Sequence, residues 1–165
     1  MEIFAGYRKI PTFVSLNSEH LKMNIEEVQQ EILEEFSIYE DWMDKYSYLI
    51  ELGNNLPDLL PAEKTDEYLI RGCQSRVWLV PELKDGKIFF RGESDAVIVK
   101  GLVALLLRVA SGRTPEELME TEMHFIDELG LKQHLSPTRS NGLLAMVKQI
   151  RLYAVAYNKV MERNR

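Results

Sequence analysis

Between residues 24 and 36 apolar side chains recur every three or four positions, at Ile25, Val28, Ile32, Leu33 and Phe36. That interval matches one face of an α-helix. Asn24 stands where an N-cap belongs, and Glu26 and Glu27 suit the positive end of the helix dipole. A second helix is expected over 39–52, with Trp42, Tyr46, Leu49 and Ile50 on one side and Gly53 as its closing C′ glycine. The stretch "NNLPDLLPAEKTDE" carries two prolines and polar residues and reads as a loop.

The period then changes from helical to alternating. Residues 68–70 suit a short first strand, and 77–83 and 87–93 flank Asp85-Gly86, the dipeptide favoured in a type I′ hairpin. A two-residue turn there pairs Leu83 with Ile88, Pro81 with Phe90 and Leu79 with Gly92. One face of the hairpin then carries Val77, Leu79, Pro81, Leu83, Ile88 and Phe90. The other mixes Arg76, Trp78, Val80, Glu82, Phe89, Arg91 and Glu93. One apolar face and one wetter face predict an antiparallel sheet backed by helices. Pro81 fits only an edge strand or a bulge.

Helices return after the hairpin. Ser94 or Asp95 is expected to cap a long apolar helix ending near Ala110. Thr114, Pro115, Glu116 and Glu117 give an N-cap, a proline at the first helical position and an acidic first turn. "HFIDELG" predicts a helical turn ending at Gly130, and Ser136-Pro137 repeats the cap-then-proline pattern. The last helix carries Leu143, Val147, Ile150, Ala154, Tyr157 and Met161, a stripe expected to pack on its own domain. The class is therefore α+β: a small three-stranded antiparallel sheet against several helices. Residues 1–22 lack the pattern and read as an N-terminal extension, with Met23 as an alternative start and 23–165 as a single domain.

Composition narrows the function. A net charge of −6 argues against a nucleic-acid binder, which needs a basic face for phosphates. The most apolar run, "AVIVKGLVALLLRVA", is broken by Lys100 and Arg108 and falls short of a membrane span. The N-terminus has no apolar run of signal-peptide length. One cysteine, Cys73, forms no internal disulfide and builds no cysteine-rich metal site, and it points to a reducing cytoplasm. His20, His124 and His134 stand at no metal-ligand spacing, so no metal is expected. There is no glycine-rich phosphate loop, and no carboxylate pair stands out for acid–base work.

Cys73 is left as the candidate chemistry. A lone cysteine often serves only as a small buried hydrophobe. Here Gly72 lets the backbone turn beside it, and Arg71 and Arg76 bracket it, either as charges that favour a thiolate or as a solvated surface pair, while Asp95 opposes a thiolate, so the charges leave the sign of the thiol's shift open. The hairpin also returns the start of the Ser94–Asp95 helix to the same end of the sheet. Carried back through the bend, strand alternation points Cys73 to the apolar side.

Four segments carry a family resemblance: "YLIELGNNLP" at 48–57, "RGCQSRVWLV" at 71–80, "SDAVIVKGLVALLL" at 94–107 and "LKQHLSPTRSNGLLAM" at 131–146. The chain from Asn24 into its last helix resembles the SufE-type sulfur acceptors of iron–sulfur cluster assembly, including the related CsdE proteins. The resemblance implies an α+β fold shared with IscU-like scaffolds. It implies a pyridoxal-phosphate cysteine desulfurase of SufS or CsdA type as partner, with no cofactor on this chain itself. It makes Cys73 the persulfide carrier, stimulating the desulfurase and delivering sulfur to a SufBCD-type scaffold. Gly72, Gln74 and Ser75 would shape the loop, and Asp95, His134 and Arg139 would lie near it or near the docking surface. A homodimer is a further expectation. The competing class is an adaptor or scaffold-like binding module on the same fold, which would bind without transferring sulfur. A cluster scaffold normally needs three or four protein ligands, and this chain offers one cysteine.

Overall fold

The computed structural model describes residues 22–165, so the expected extension lies almost wholly outside the described residues. Helix α1 spans Ile25–Phe36 and α2 spans Trp42–Asn54. Strands β1, Val77–Lys84, and β2, Lys87–Ser94, follow. Then come α3, Val97–Ala110; α4, Pro115–Glu120; α5, Phe125–Glu128; α6, Leu131–His134; and the long α7, Pro137–Arg163.

The helix starts follow their capping residues. Asn24 accepts from the Glu27 N–H while Glu27 accepts from the Asn24 N–H, a reciprocal capping box. Thr114 and Glu117 repeat it at α4. Helix α2 begins three residues later than expected, because Asp41 caps it by accepting the Asp44 N–H at 2.9 Å. It also runs past Gly53, which therefore does not close it. A Cβ on Gly53 would lie 2.7 Å from the Gly101 backbone nitrogen, and one on Gly101 would overlap the Leu49 carbonyl. Two glycines on facing helices let the backbones of α2 and α3 touch.

The hairpin has the expected register, including Leu83 with Ile88, Pro81 with Phe90 and Leu79 with Gly92. Asp85 and Gly86 both take positive φ, 52° and 76°, as a type I′ turn requires. Among the described residues the sheet is two-stranded, not three-stranded. The expected first strand is reduced to a single bridge between Leu69 and Trp78, because a turn holds it before Tyr68 and Gly72 bends it away after Ile70. Leu79 donates its N–H to Tyr68 O, away from β2. Pro81, two residues on, lacks its N–H on that same side, which is the edge the expectation required.

Helix α3 forms the centre. Eleven of its fourteen residues are buried, from Val99 to Ala110. It packs on β2, where a Cβ on Gly92 would meet Val103 at 2.8 Å. Its buried Arg108 pairs with Glu35 at 2.5 Å and Glu31 at 3.0 Å, tying α3 to α1. Leu143, Met146, Ile150 and Ala154 of α7 are buried against the same core. The wetter face of the hairpin is covered in part: Trp78 and Val80 pack with Leu59, Tyr68 and Leu69 into a smaller cluster. The loop before the hairpin is fixed there by charge, with Glu93 accepting the Leu59 N–H at 2.9 Å and pairing with Lys64 at 3.0 Å.

The helix contact generates a stability prediction. Gly101→Ala inserts a methyl group where the Leu49 carbonyl sits, so it should destabilise the fold by about 3 kcal/mol, near the upper end of ordinary overpacking. Alanine at an uncrowded helix position would instead stabilise by up to about 1 kcal/mol. Denaturant unfolding of the two proteins reads the sign directly.

Candidate functional site

Residues 71–76 form a turn-rich loop between the Leu69 bridge and β1, and its base is anchored at several points. Ile70 N–H donates to Val77 O at 2.8 Å. Arg76 N–H donates to the Asp95 carboxylate at 3.1 Å, and Ser94 Oγ donates to Arg76 O at 2.9 Å. The hairpin therefore brings the start of α3 back to this loop, as its topology demands. Ser94 and Asp95 are used in closing the loop and do not cap α3 in the ordinary way. The N-cap position is Ala96, whose N–H donates to Ser94 Oγ at 3.2 Å.

The tip turns on Gly72, whose φ of 93° disfavours any side chain. Cys73 follows, half-buried, and packs against the main core. It faces the core through this turn, since strand alternation does not continue back to it. Its Sγ lies 3.5 Å from Gly142 O, within hydrogen-bonding reach for a thiol donor. Beside it opens a cleft of about 330 Å³, lined by Cys73, Gln74 and Ser75 on the loop, Val99 on α3, and Arg139 and Met146 among others on α7.

The expected residues do not all gather here. Gln74, Ser75 and Arg139 line the cleft, and Gly72 and Asp95 shape the loop. His134 does not line it. Its ring stacks on Trp42 at 4.0 Å, its Nδ1 lies 2.9 Å from Gly130 O, and its carbonyl accepts the Tyr46 hydroxyl. It ties α6 to α2. Sequence reasoning missed Val99, Met146 and Gly142 as residues of the cleft. Only Gly142 left a signal, as a glycine inside a helical pattern.

Burial gives the direction that the charges around the loop left open. Arg71 and Arg76 are exposed, and burial pushes the Cys73 thiol above its ordinary value. Among the described residues no group of three His, Cys, Asp or Glu side chains is arranged to hold a metal, and no helix is long and apolar enough to cross a membrane.

The SufE family model, described as an Fe-S metabolism associated domain, matches residues 30–154. The chain belongs to the SufE family. An uncharacterised SufE-like protein of Rhizobium meliloti (strain 1021) is 40% identical over 126 residues, covering 73% of this chain and 90% of that protein. The solution structure of a hypothetical protein from Thermus thermophilus superposes with a TM-score of 0.64 at 21% identity, over 78% of this chain and 94% of the other, which supports the shared fold.

Burial makes a kinetic prediction for this SufE-family thiol. Alkylation proceeds through the thiolate, so its rate should rise with pH to a midpoint above that of an ordinary cysteine, about 8.5. At neutral pH native Cys73 should react more slowly than an unstructured peptide thiol, since an upward shift lowers the thiolate fraction. Iodoacetamide rates across pH, with and without denaturant, check it; equal native and denatured rates would contradict the sheltered geometry.

Proposed function

We propose that Cys73 accepts sulfur from the persulfide of a SufS- or CsdA-type cysteine desulfurase and carries it toward a SufBCD-type scaffold for iron–sulfur cluster assembly. The observation that carries this reading is the placement of the only cysteine, at a glycine-turned loop tip beside an open cleft, in a chain of the SufE family. Such a tip can shelter a sulfur when free and present it when a partner docks.

The transfer is a thiol exchange. The Cys73 sulfur attacks the outer sulfur of the desulfurase persulfide, forming a new S–S bond as the old one breaks. The desulfurase cysteine leaves as thiolate and takes up the proton that Cys73 gave up. No net oxidation occurs, and no further reactant is required. The pyridoxal phosphate that extracts sulfur from free cysteine belongs to the desulfurase, and the cluster is downstream cargo. A raised thiol pKa fits this division. The resting carrier is a poor nucleophile, and docking would free the tip into solvent or partner surface where the thiolate forms more readily.

Incubation with a SufS-type desulfurase and free cysteine, without reductant, should add one or more sulfur atoms to Cys73 by intact mass. A reducing agent should remove them. Cys73→Ser should abolish the added mass completely while leaving cooperative unfolding intact. Continued stimulation of the desulfurase by Cys73→Ser, with the native protein gaining no sulfur, would turn the reading to an adaptor that binds without transfer.

A further inference from the structure

Beside α1 runs a groove of about 580 Å³ walled by Glu26, Glu27, Glu31 and Glu34, with His124 at its edge. His124 stands just before α5, and its ring meets two carboxylates at once. Nε2 lies 2.6 Å from Glu26 of α1, and Nδ1 lies 3.0 Å from Glu128 of α5. An ionised carboxylate only accepts hydrogen bonds, and a neutral imidazole has one N–H to give. Two donated bonds therefore require the imidazolium, which has two. The charges around the ring agree. Glu27, Glu31 and Glu34 of α1, Glu122 before the ring and Asp127 of α5 are further acids. The cations of the same region are already engaged: Lys132 of α6 pairs with Asp127 at 2.8 Å, Arg108 of α3 pairs with Glu31, Arg113 donates to Met23 O and Arg151 of α7 donates to Thr121 O.

We propose that His124 is a pH-sensitive latch: as an imidazolium it ties the segment 121–128 to α1 through Glu26 and Glu128, and it loosens that segment when it loses its proton. The neutral ring keeps one N–H. Whichever carboxylate receives it, the other then faces a ring lone pair and is repelled.

A second anchor sets how far the segment can move. Gln29 of α1 is fully buried; its amide donates to Glu122 O at 3.1 Å and its carbonyl oxygen accepts the Phe125 N–H at 3.1 Å. These bonds flank His124 in the chain and do not titrate. The segment thus stays on α1 at every pH, and the latch changes how tightly it is held. The hydrogen bond to Glu26 raises the imidazole above its ordinary value; Glu128 adds in the same direction and partial burial opposes both. With the folded value above the unfolded one, the latch contributes fully below about pH 6.5 and is lost as pH rises through the folded midpoint. The ring is 36% exposed, so its effect is that of a part-exposed ion pair and weakens with salt.

The test joins a titration to a local stability. Ring-proton NMR, with His124→Gln assigning the signal, should give a native His124 midpoint above about 6.5, and Glu26→Gln should lower it. At about pH 5.5 the Phe125 amide should lose about twofold to fivefold of its hydrogen-exchange protection in His124→Gln, the scale of a part-exposed ion pair. Two units above the measured midpoint the two proteins should be protected alike. Equal loss at both pH values would mean that His124 only fills space, and would overturn the latch. Equal protection of the two proteins at about pH 5.5 would overturn it too, as would a native midpoint at or below about 6.5. Should His124→Gln not fold, Glu26→Gln and Glu128→Gln decide, since each should lower the midpoint and a midpoint that neither moves would overturn the bridge. Neither measurement involves Cys73 or a desulfurase, so the latch stands or falls apart from the sulfur-transfer reading.

Discussion

A fourteen-residue helix that is apolar on nearly every side cannot lie on a surface, and α3 is such a helix. The remaining elements are arranged to enclose it. Helix α2 approaches closely enough for Gly53 and Gly101 to bring backbones into contact, β2 offers Gly92 beneath Val103, and α1 and α7 close the other sides. The cation that this helix buries, Arg108, is neutralised by Glu31 and Glu35 of α1, as its burial demands. The site follows from this enclosure. Because the hairpin must return to feed α3, the start of β1 and the start of α3 meet, and the Cys73 loop grows from their junction.

That junction gives the loop two unlike halves. Its base is held by Asp95, Ser94 and the Ile70–Val77 backbone contact, all hydrogen-bonded within 3.1 Å. Its tip rests on α7 through the Cys73 side chain and the turn at Gly72. A sulfur carrier needs both properties. Protection slows capture by small thiols and oxidants, and exposure is required for exchange with a partner. A rigid loop would satisfy only one of these, and a loose one only the other.

The sequence disclosed what local rules decide. Asp85-Gly86 set the hairpin register, since a two-residue turn leaves one pairing, and paired caps marked the starts of α1 and α4. Cys73 could be singled out because it is the only thiol and follows a glycine. What could not be read were relations between distant segments. Gly53 looked like a helix end because glycine usually ends helices; its real partner, Gly101, lies on another helix. His134 belonged to a matching motif, yet its ring is used in packing on Trp42. The flanking arginines argued for a thiolate and Asp95 against one, and the burial at the sulfur that raises the thiol is a relation between distant segments. The third strand failed because a turn holds the chain before Tyr68 and Gly72 bends it away after Ile70.

The energetics of release favour the proposed carrier. Freeing the tip exposes a half-buried, small side chain and gives up one weak S–H contact, about 1–2 kcal/mol together. A micromolar complex supplies about 8 kcal/mol of binding free energy. Drawing the thiol out would therefore reduce the affinity of a docking desulfurase by roughly tenfold and still leave a usable complex. The base behaves differently, because removing the Asp95 carboxylate from the Arg76 N–H or unpairing Ile70 from Val77 breaks hydrogen bonds beside the core and disturbs the entry to α3. The least costly motion available at this site is thus the one that moves the sulfur and leaves the fold in place.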